Sequence, residues 1–179
     1  MDKKIKIYIL LLLFIFESSL SYSQINSRVC NSSIFLDIDH KGYISVYDKP
    51  SGKVIKQLRN DNDAGNYIIF NIVDKTNTMF CVNASYSLDE DSIVVKGWIK
   101  KTNSLGIYSR AYNRPLNLYK NPNRKSSIII SDGKYNPNMY VVIDCCGKWL
   151  KIIAVVKGEV YEGWIPPEMQ CANVYSTCN

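Results

Sequence analysis

The tripeptide Gly-Trp-Ile occurs twice in this chain, at residues 97–99 and at residues 163–165. The chain has 179 residues and only three tryptophans, so two of them in the same tripeptide indicate one unit built twice. A repeated module must form the same local structure in both places. This repeat therefore constrains the fold more than any other feature of the sequence.

Runs of β-branched and aromatic residues lead up to the second copy. Residues 139–146 and 149–156 are such runs, and the tight turn Gly147-Lys148 separates them. A third run at residues 160–165 ends at Pro166, which cannot donate a hydrogen bond to a strand ladder. Short runs joined by two- or three-residue turns predict an antiparallel meander of three strands.

The first copy has the same order with longer turns. Its predicted strands are residues 67–73, 79–87 and 92–99. The match also extends towards the N-terminus, because residues 44–50 align with residues 116–122 at an offset of 72. Shared order with variable turn length is typical of a duplicated module.

Each meander is followed by a short break and a predicted last strand, at residues 106–109 and at residues 173–176. A further β-hairpin is predicted before the first copy, from residues 34–39 and 43–47 around His40-Lys41-Gly42. We therefore expect an all-β protein of two small units that pack together.

The first 23 residues have the three-part layout of a secretory signal peptide. Lys3, Lys4 and Lys6 give a positive start, residues 7–16 are an unbroken apolar run, and serines precede the bond after Ser23. A helix of about 15 Å from this run is too short for a bilayer core of about 30 Å. We expect cleavage after Ser23 and no transmembrane segment in the mature chain, which would be periplasmic or secreted from a bacterium.

The predicted organisation follows from these boundaries. Residues 1–23 are the signal peptide, residues 24–109 the first unit with its N-terminal hairpin, residues 110–114 a connector and residues 115–179 the second unit. A unit of this size has a core worth only about 3–5 kcal/mol, so we expect disulfides to add stability.

The cysteines all follow the predicted signal peptide, and their even number indicates disulfides in an oxidising compartment. Adjacent strand residues point to opposite faces, so Cys145 and Cys146 are expected to have different partners. Cys171 and Cys178 are the natural partners near the C-terminus. The disulfide candidates are Cys30, Cys81, Cys145, Cys146, Cys171 and Cys178.

The repeated unit resembles the bacterial Src-homology-3-like domain. The resemblance lies in residues 118–122, the turn before residues 149–152, the turn before residues 163–165 and the short last strand. It covers roughly residues 43–109 and 115–176. The family implies two small five-stranded barrels in tandem, exported and often attached to cell-wall enzymes.

The resemblance also implies an aromatic-lined groove that binds a peptide, often the peptide part of peptidoglycan. Aromatic rings give contact area at low entropic cost, and a hydroxyl or indole N–H orients a peptide backbone. The candidate ligand-binding residues carried over are Tyr47, Asp48, Tyr67, Trp98, Tyr119, Tyr140, Trp149 and Trp164. For Trp98 and Trp164 we favour a role as core residues at the barrel ends, because a tryptophan in a strand of a small barrel usually supplies core.

The sequence predicts a protein without catalytic residues, bound metal or cofactor. A cysteine nucleophile needs a histidine base, and the one histidine, His40, is expected to be solvated in a turn. A single histidine also argues against a multi-histidine metal site. The net charge of +6 is not clustered, which argues against a nucleic-acid partner.

We therefore expect a non-catalytic exported module that binds a peptide, peptidoglycan or an envelope protein. One alternative is a periplasmic inhibitor or immunity-type protein that blocks a partner enzyme, which would fit a small chain with disulfides. Another is a thiol oxidoreductase that uses Cys145 and Cys146, although the chain has no C-x-x-C spacing.

Overall fold

The structure is a computed structural model that describes residues 29–110, 115–133, 136–175 and 178. The predicted signal peptide lies outside the described residues, as do residues 111–114 of the predicted connector. Within the described part of the chain, no helix is long and apolar enough to cross a membrane.

The all-β fold is confirmed, since the described residues form thirteen strands and no α-helix. In chain order the strands are β1 (Ser32–Leu36), β2 (Ile44–Tyr47), β3 (Val54–Leu58), β4 (Ile68–Lys75), β5 (Met79–Tyr86), β6 (Val95–Lys100), β7 (Leu105–Ser109), β8 (Leu116–Tyr119), β9 (Ile128–Asp132), β10 (Tyr140–Cys146), β11 (Trp149–Val156), β12 (Glu159–Ile165) and, after a 3-10 turn at Pro167–Met169, β13 (Gln170–Cys171).

The strands form one antiparallel sheet with a symmetric order. Its path is β3-β2-β6-β5-β4-β1-β7-β10-β11-β12-β8-β9, and β13 pairs with β7 off this path. From the central pair β1 and β7 outward, one arm reads β4, β5, β6, β2, β3. The other arm reads β10, β11, β12, β8, β9, which is the same order of equivalent strands. The two arms are therefore two copies of one strand arrangement.

The register of the arms is also the same. Tyr47 of β2 lies opposite Trp98 of β6, and Tyr119 of β8 lies opposite Trp164 of β12. In both arms a register shift comes directly before that tyrosine. The repeated Gly-Trp-Ile thus lies on β6 and on β12, the strands that pair with β2 and β8.

The glycine of each tripeptide is required by close contact with β2 or β8. A Cβ atom at Gly97 would lie 2.6 Å from the carbonyl oxygen of Tyr47 and 2.7 Å from Cγ1 of Val46. A Cβ atom at Gly163 would lie 2.7 Å from Cβ of Leu118. Real Cβ atoms do not come this close to other atoms, so any larger residue would push the strands apart.

One hydrophobic core runs through both arms and the central pair. It includes Phe70 of the first arm and Leu150 of the second, joined through Ile34 of β1 and Ile107 of β7. Phe35 of β1 packs on the other face in a smaller cluster with Tyr67 and Ile69. Residues 34–36 of β1 are therefore buried on both faces, which explains their unbroken apolar run.

The predicted N-terminal hairpin is wrong. β1 pairs with β4 and β7, whereas β2 pairs with β3 and β6. The turn residues at 40–42 suggested a local hairpin, but a strand that is apolar on both faces needs neighbours on both edges and cover on both sides.

The predicted last strand at residues 173–176 is also displaced. The short strand that pairs with β7 is Gln170–Cys171, because the 3-10 turn after Pro166 brings the chain onto β7 at once. The two closed barrels that we expected are not confirmed. The strands of the described residues form one open antiparallel path instead, and β7 also pairs with β10 of the second arm.

Two disulfides join these elements. Cys30 is bonded to Cys145 across 115 residues, which attaches the start of β1 to β10. Cys171 is bonded to Cys178, as predicted. A crosslink over a long loop stabilises mainly by restricting the unfolded chain, typically by about 2–4 kcal/mol.

The other two candidates, Cys81 and Cys146, are free thiols, so their prediction as disulfide residues is wrong. Both are half-buried. Cys145 is fully buried and Cys146 points to the other face of β10, as the strand period requires. The adjacent cysteines do not bond to each other.

Replacing Gly97 or Gly163 with alanine should lower the free energy of unfolding by about 1–3 kcal/mol, because the added methyl group overpacks the contact with β2 or β8. Gly133 is the matched control, since its Cβ would meet nothing within 4 Å and its alanine variant should keep wild-type stability. Urea unfolding followed by circular dichroism measures the difference. Equal stability of all four proteins would contradict the close contact.

Candidate functional site

Each arm carries a row of side chains on the face that points away from the core. In the first arm the row is Tyr47, Trp98, Cys81 and Asp74, which are cross-strand neighbours on β2, β6, β5 and β4. The residues on either side of Trp98 are buried while Trp98 itself is half-buried. Because strand residues alternate in direction, its indole lies on the outer face.

The second arm carries the equivalent row of Tyr119, Trp164, Lys151 and Asp144, on β8, β12, β11 and β10. Trp164 is half-buried between buried neighbours, as Trp98 is. The aspartate of each row directly follows a register shift at the equivalent place in its strand. The two rows differ at one position, where the second has Lys151 and the first has a thiol.

The two rows border one open cleft at the junction of the repeats. Its volume is about 910 Å³, which is within the usual range of ligand sites of about 300–1,000 Å³. Trp98 and Asp74 line it from the first row, and Lys151 and Asp144 from the second. The cleft is therefore lined by residues of both repeats.

Three charged side chains cross this junction. The Nζ atoms of Lys75 and Lys101 lie 2.7 Å and 3.3 Å from the same oxygen, Oδ1 of Asp144. Both lysine side chains are largely buried, at 17% and 13% exposure. Lys75 is the last residue of β4 and Lys101 directly follows β6, both in the first arm, whereas Asp144 belongs to the second arm, so these contacts fix the arms against each other.

Two aromatic rings hold the same lysines. Nζ of Lys75 lies 6.0 Å from the ring centre of Trp164, and Nζ of Lys101 lies 4.7 Å from that of Phe80. Such cation–π contacts contribute about 0.5–2 kcal/mol. We therefore describe Lys75, Lys101 and Asp144 as a fixed group, the junction cluster.

The pKa values of the junction cluster reflect its burial and its charges. Burial raises the pKa of Asp144, but the hydrogen bond from Lys75, the two lysine charges and the N–H of Cys145 outweigh it, and the net pKa is lowered. Burial lowers the pKa of Lys101, and the charge of Lys75 adds to this, while Asp144 opposes it. The carboxylate is thus held in its charged form.

Of the predicted binding residues of the second repeat, three are half-buried and one is buried. The rings of Tyr119 and Trp149 meet edge to face, 5.5 Å apart, and both are half-buried. Trp164 adjoins Tyr119 in the same row. Tyr140 is buried at 4% exposure, so its ring is a core residue and cannot form part of a groove.

The first repeat follows the same division. Tyr47 and Trp98 lie next to each other on the outer face. Asp48 is exposed, and its Oδ1 accepts a hydrogen bond from the N–H of Lys53, so this carboxylate closes a turn. Tyr67 is buried beneath Phe35 and Tyr175, and its prediction as a groove residue is therefore wrong.

The core role that we favoured for Trp98 and Trp164 is also wrong. The close contacts require Gly97 to face β2 and Gly163 to face β8. The next residue in the strand must then face outward. The prediction relied on the general preference of tryptophan for the core of a small barrel, and the sequence does not reveal this contact.

The junction cluster was missed by sequence reasoning. Asp74 and Asp144 occupy equivalent places in the repeat, so an alignment of the two copies could have singled out Asp144. Lys75 and Lys101 have no equivalent lysines in the second copy. Nothing in the sequence pattern indicates that they meet Asp144, because the contact depends on how the arms pack.

His40 is half-buried, which differs from the solvated residue that we expected. Its Nδ1 lies 3.0 Å from Oγ of Ser104, so the loop after β1 is tied to the turn before β7. A second cavity of about 220 Å³ lies beside this contact, next to Tyr43 and Tyr47.

Comparison with known proteins yields little. No protein-family model matches the chain, and no curated protein matches it. Among solved structures, NlpC1 from Trichomonas vaginalis aligns with 17% sequence identity and a TM-score of 0.33 over 79% of this chain and 46% of that chain. This chain therefore spans less than half of that protein, and a TM-score at this level does not establish a shared fold.

Replacing Asp144 with asparagine should lower the free energy of unfolding by about 1–3 kcal/mol at neutral pH, because two largely buried ammonium groups lose their shared counter-charge. Since the folded-state pKa of Asp144 is lowered, its contribution is complete above the ordinary aspartate pKa of about 3.9 and is lost as pH falls through the folded-state value. Urea unfolding at pH 7 and at low pH measures both effects.

Glu162→Gln is the matched control for this measurement. It removes the carboxylate that pairs with Lys151 at 2.8 Å, but that pair is exposed and should contribute less than about 1 kcal/mol. Two results would contradict the structural role of Asp144. One is an Asp144→Asn protein that is as stable as the control at pH 7. The other is an Asp144→Asn protein that loses as much stability at low pH as the wild type does.

Proposed function

We propose that this protein is an exported, non-catalytic binding protein of two Src-homology-3-like repeats. Its ligand is a peptide, the peptide part of peptidoglycan, or an extended segment of an envelope protein. The observation that carries this proposal is the pair of equivalent, half-buried tyrosine–tryptophan neighbours on adjacent strands, Tyr47 with Trp98 and Tyr119 with Trp164. These rings offer apolar area with a polar edge, which suits a peptide backbone.

The order of elements in each arm supports the assignment to Src-homology-3-like repeats. A hairpin comes first (β2–β3 or β8–β9), then a three-stranded meander (β4–β6 or β10–β12), then a short strand (β7 or β13). In this proposal each repeat is a barrel-like unit that opens along one side, where β7 pairs with its neighbours from both repeats.

The duplication supports an extended ligand. The two rows meet at one cleft, which Trp98 and Asp74 line from the first row and Lys151 and Asp144 from the second, so a long peptide that crosses the cleft can contact both rows. Simultaneous contact at linked sites raises the overall affinity without stronger individual contacts. A small globular ligand would contact only one of the two rows.

The two disulfides support export. Structural disulfides persist in oxidising compartments and are rare in the cytosol. Export would place the protein where peptidoglycan and envelope proteins are its neighbours. The thiol oxidoreductase hypothesis has less support, because Cys145 is bonded to the distant Cys30 and Cys146 is left as a single thiol.

The proposal predicts that the mature protein is retained by purified peptidoglycan, or by members of an immobilised peptide library, at low salt. Tyr119→Ala and Trp98→Ala should each reduce retention about tenfold, since a buried aromatic contact is worth at least 1.4 kcal/mol at a binding centre. Tyr175→Ala is the control, because this tyrosine is 67% exposed and lies outside both rows.

The measurement is the bound fraction over a range of ligand amounts, with circular dichroism to confirm that each variant is folded. Equal retention of the three variants and the wild type would refute a role for the aromatic rows. Absence of retention for the wild type on both matrices would refute the peptide and cell-wall versions of the proposal.

One observation favours the alternative of an inhibitor that blocks a partner enzyme. At the tip of the β11–β12 hairpin, Val155 and Val160 lie opposite each other and are 57% and 68% exposed. Exposed apolar side chains on a protruding tip are suited to entering the pocket of another protein. A stoichiometric envelope protein captured by wild type and Tyr119→Ala, but lost with Val160→Asp, would favour this alternative.

A further inference from the structure

We propose that the cleft between the repeats binds a carboxylate of its ligand at Lys75 and Lys101. This inference rests on the proposed function and names the chemical group that the peptide or polymer presents at the junction. The site is built from residues of both repeats, so a single repeat would lack it.

The first argument is the balance of charge. Two ammonium groups share one carboxylate oxygen, and among the described residues neither forms an ion pair with any other acid. Asp74 also lines the cleft but forms no ion pair with either ammonium. Lys151 is already paired with Glu162. The junction cluster therefore carries one excess positive charge in a largely buried place.

The second argument is the supply of hydrogen-bond donors. Each ammonium has three N–H groups, and each gives one to Asp144. The remaining donors belong to side chains that Trp164, Phe80 and Asp144 hold in position. A ligand carboxylate would meet donors that are already oriented, which lowers the entropic cost of binding.

The third argument is the surroundings of the cluster. Thr76, Asn77 and Thr78 also line the cleft, and so does Trp98. The first group can hydrogen-bond to the amides of a peptide next to its carboxylate, and the indole can cover an aliphatic side chain. The cleft is thus suited to a peptide that carries a negative charge.

A monoanion fits this cluster better than a dianion. One excess positive charge is neutralised by one carboxylate. A phosphate group would bring nearly two negative charges to a cluster with one excess positive charge, so one of them would have no counter-charge. We therefore assign a carboxylate and use inorganic phosphate as a competing probe.

The test uses the mature protein with N-acetyl-trialanine as the free acid and as the amide. Binding is followed by tryptophan fluorescence and by amide NMR shifts at low salt. The acid should bind about tenfold more tightly than the amide, because only the acid offers a charged acceptor to the two ammonium groups. Inorganic phosphate should compete less well than acetate.

Lys101→Met keeps the length of the side chain and its contact with Phe80 but removes the charge. It should reduce the affinity for the acid to about that for the amide and change the affinity for the amide much less. Lys125→Met is the matched control, since this exposed lysine lies in the β8–β9 turn, away from the cleft. It should bind both probes as the wild type does.

Four results would overturn the inference. They are the absence of saturable binding of the acid, equal affinity of the wild type for acid and amide, a preference for the acid that survives in Lys101→Met, and stronger competition by phosphate than by acetate. These outcomes can be told apart from failure of the proposed function, because retention on peptidoglycan or the peptide library is measured independently of the acid preference.

Discussion

The structure depends on the central pair of strands, β1 and β7. β1 pairs with β4 of the first arm and with β7, and β7 pairs with β10 of the second arm. Ile34, Phe35 and Leu36 are fully buried, so β1 contributes to the core on both of its faces. Without this pair the two arms would be separate small sheets, each with too little apolar surface for a stable core. The Cys30–Cys145 bond reinforces the same junction.

The cleft is a consequence of this arrangement. Since the central pair brings the arms together, the outer rows of the two repeats border a common space, and Asp144 of one arm reaches the lysines of the other. The two repeats carry equivalent aromatic pairs but unequal charges. The proposed ligand is accordingly extended and in contact with both repeats, and its charged group lies at the junction.

Much of the local structure could be predicted from sequence, because it depends on short-range patterns. The repeat, the meander strands and the Cys171–Cys178 bond follow from strand period, turn residues and spacing. The place of β1 could not be predicted, since its partners lie far away in the chain. The outward direction of Trp98 and Trp164 depends on the close contact at the preceding glycine, and the junction cluster depends on packing between the arms.

The most direct test of this account is whether the two arms unfold together. Trp98 reports on the first arm and Trp164 on the second, so two variants that each retain one of these tryptophans, with phenylalanine at the other two positions, provide local probes. In urea, the fluorescence transition of each variant should coincide with its own circular dichroism transition, as expected for one cooperative unit. A fluorescence transition that is complete while half of the circular dichroism signal remains would contradict a shared core.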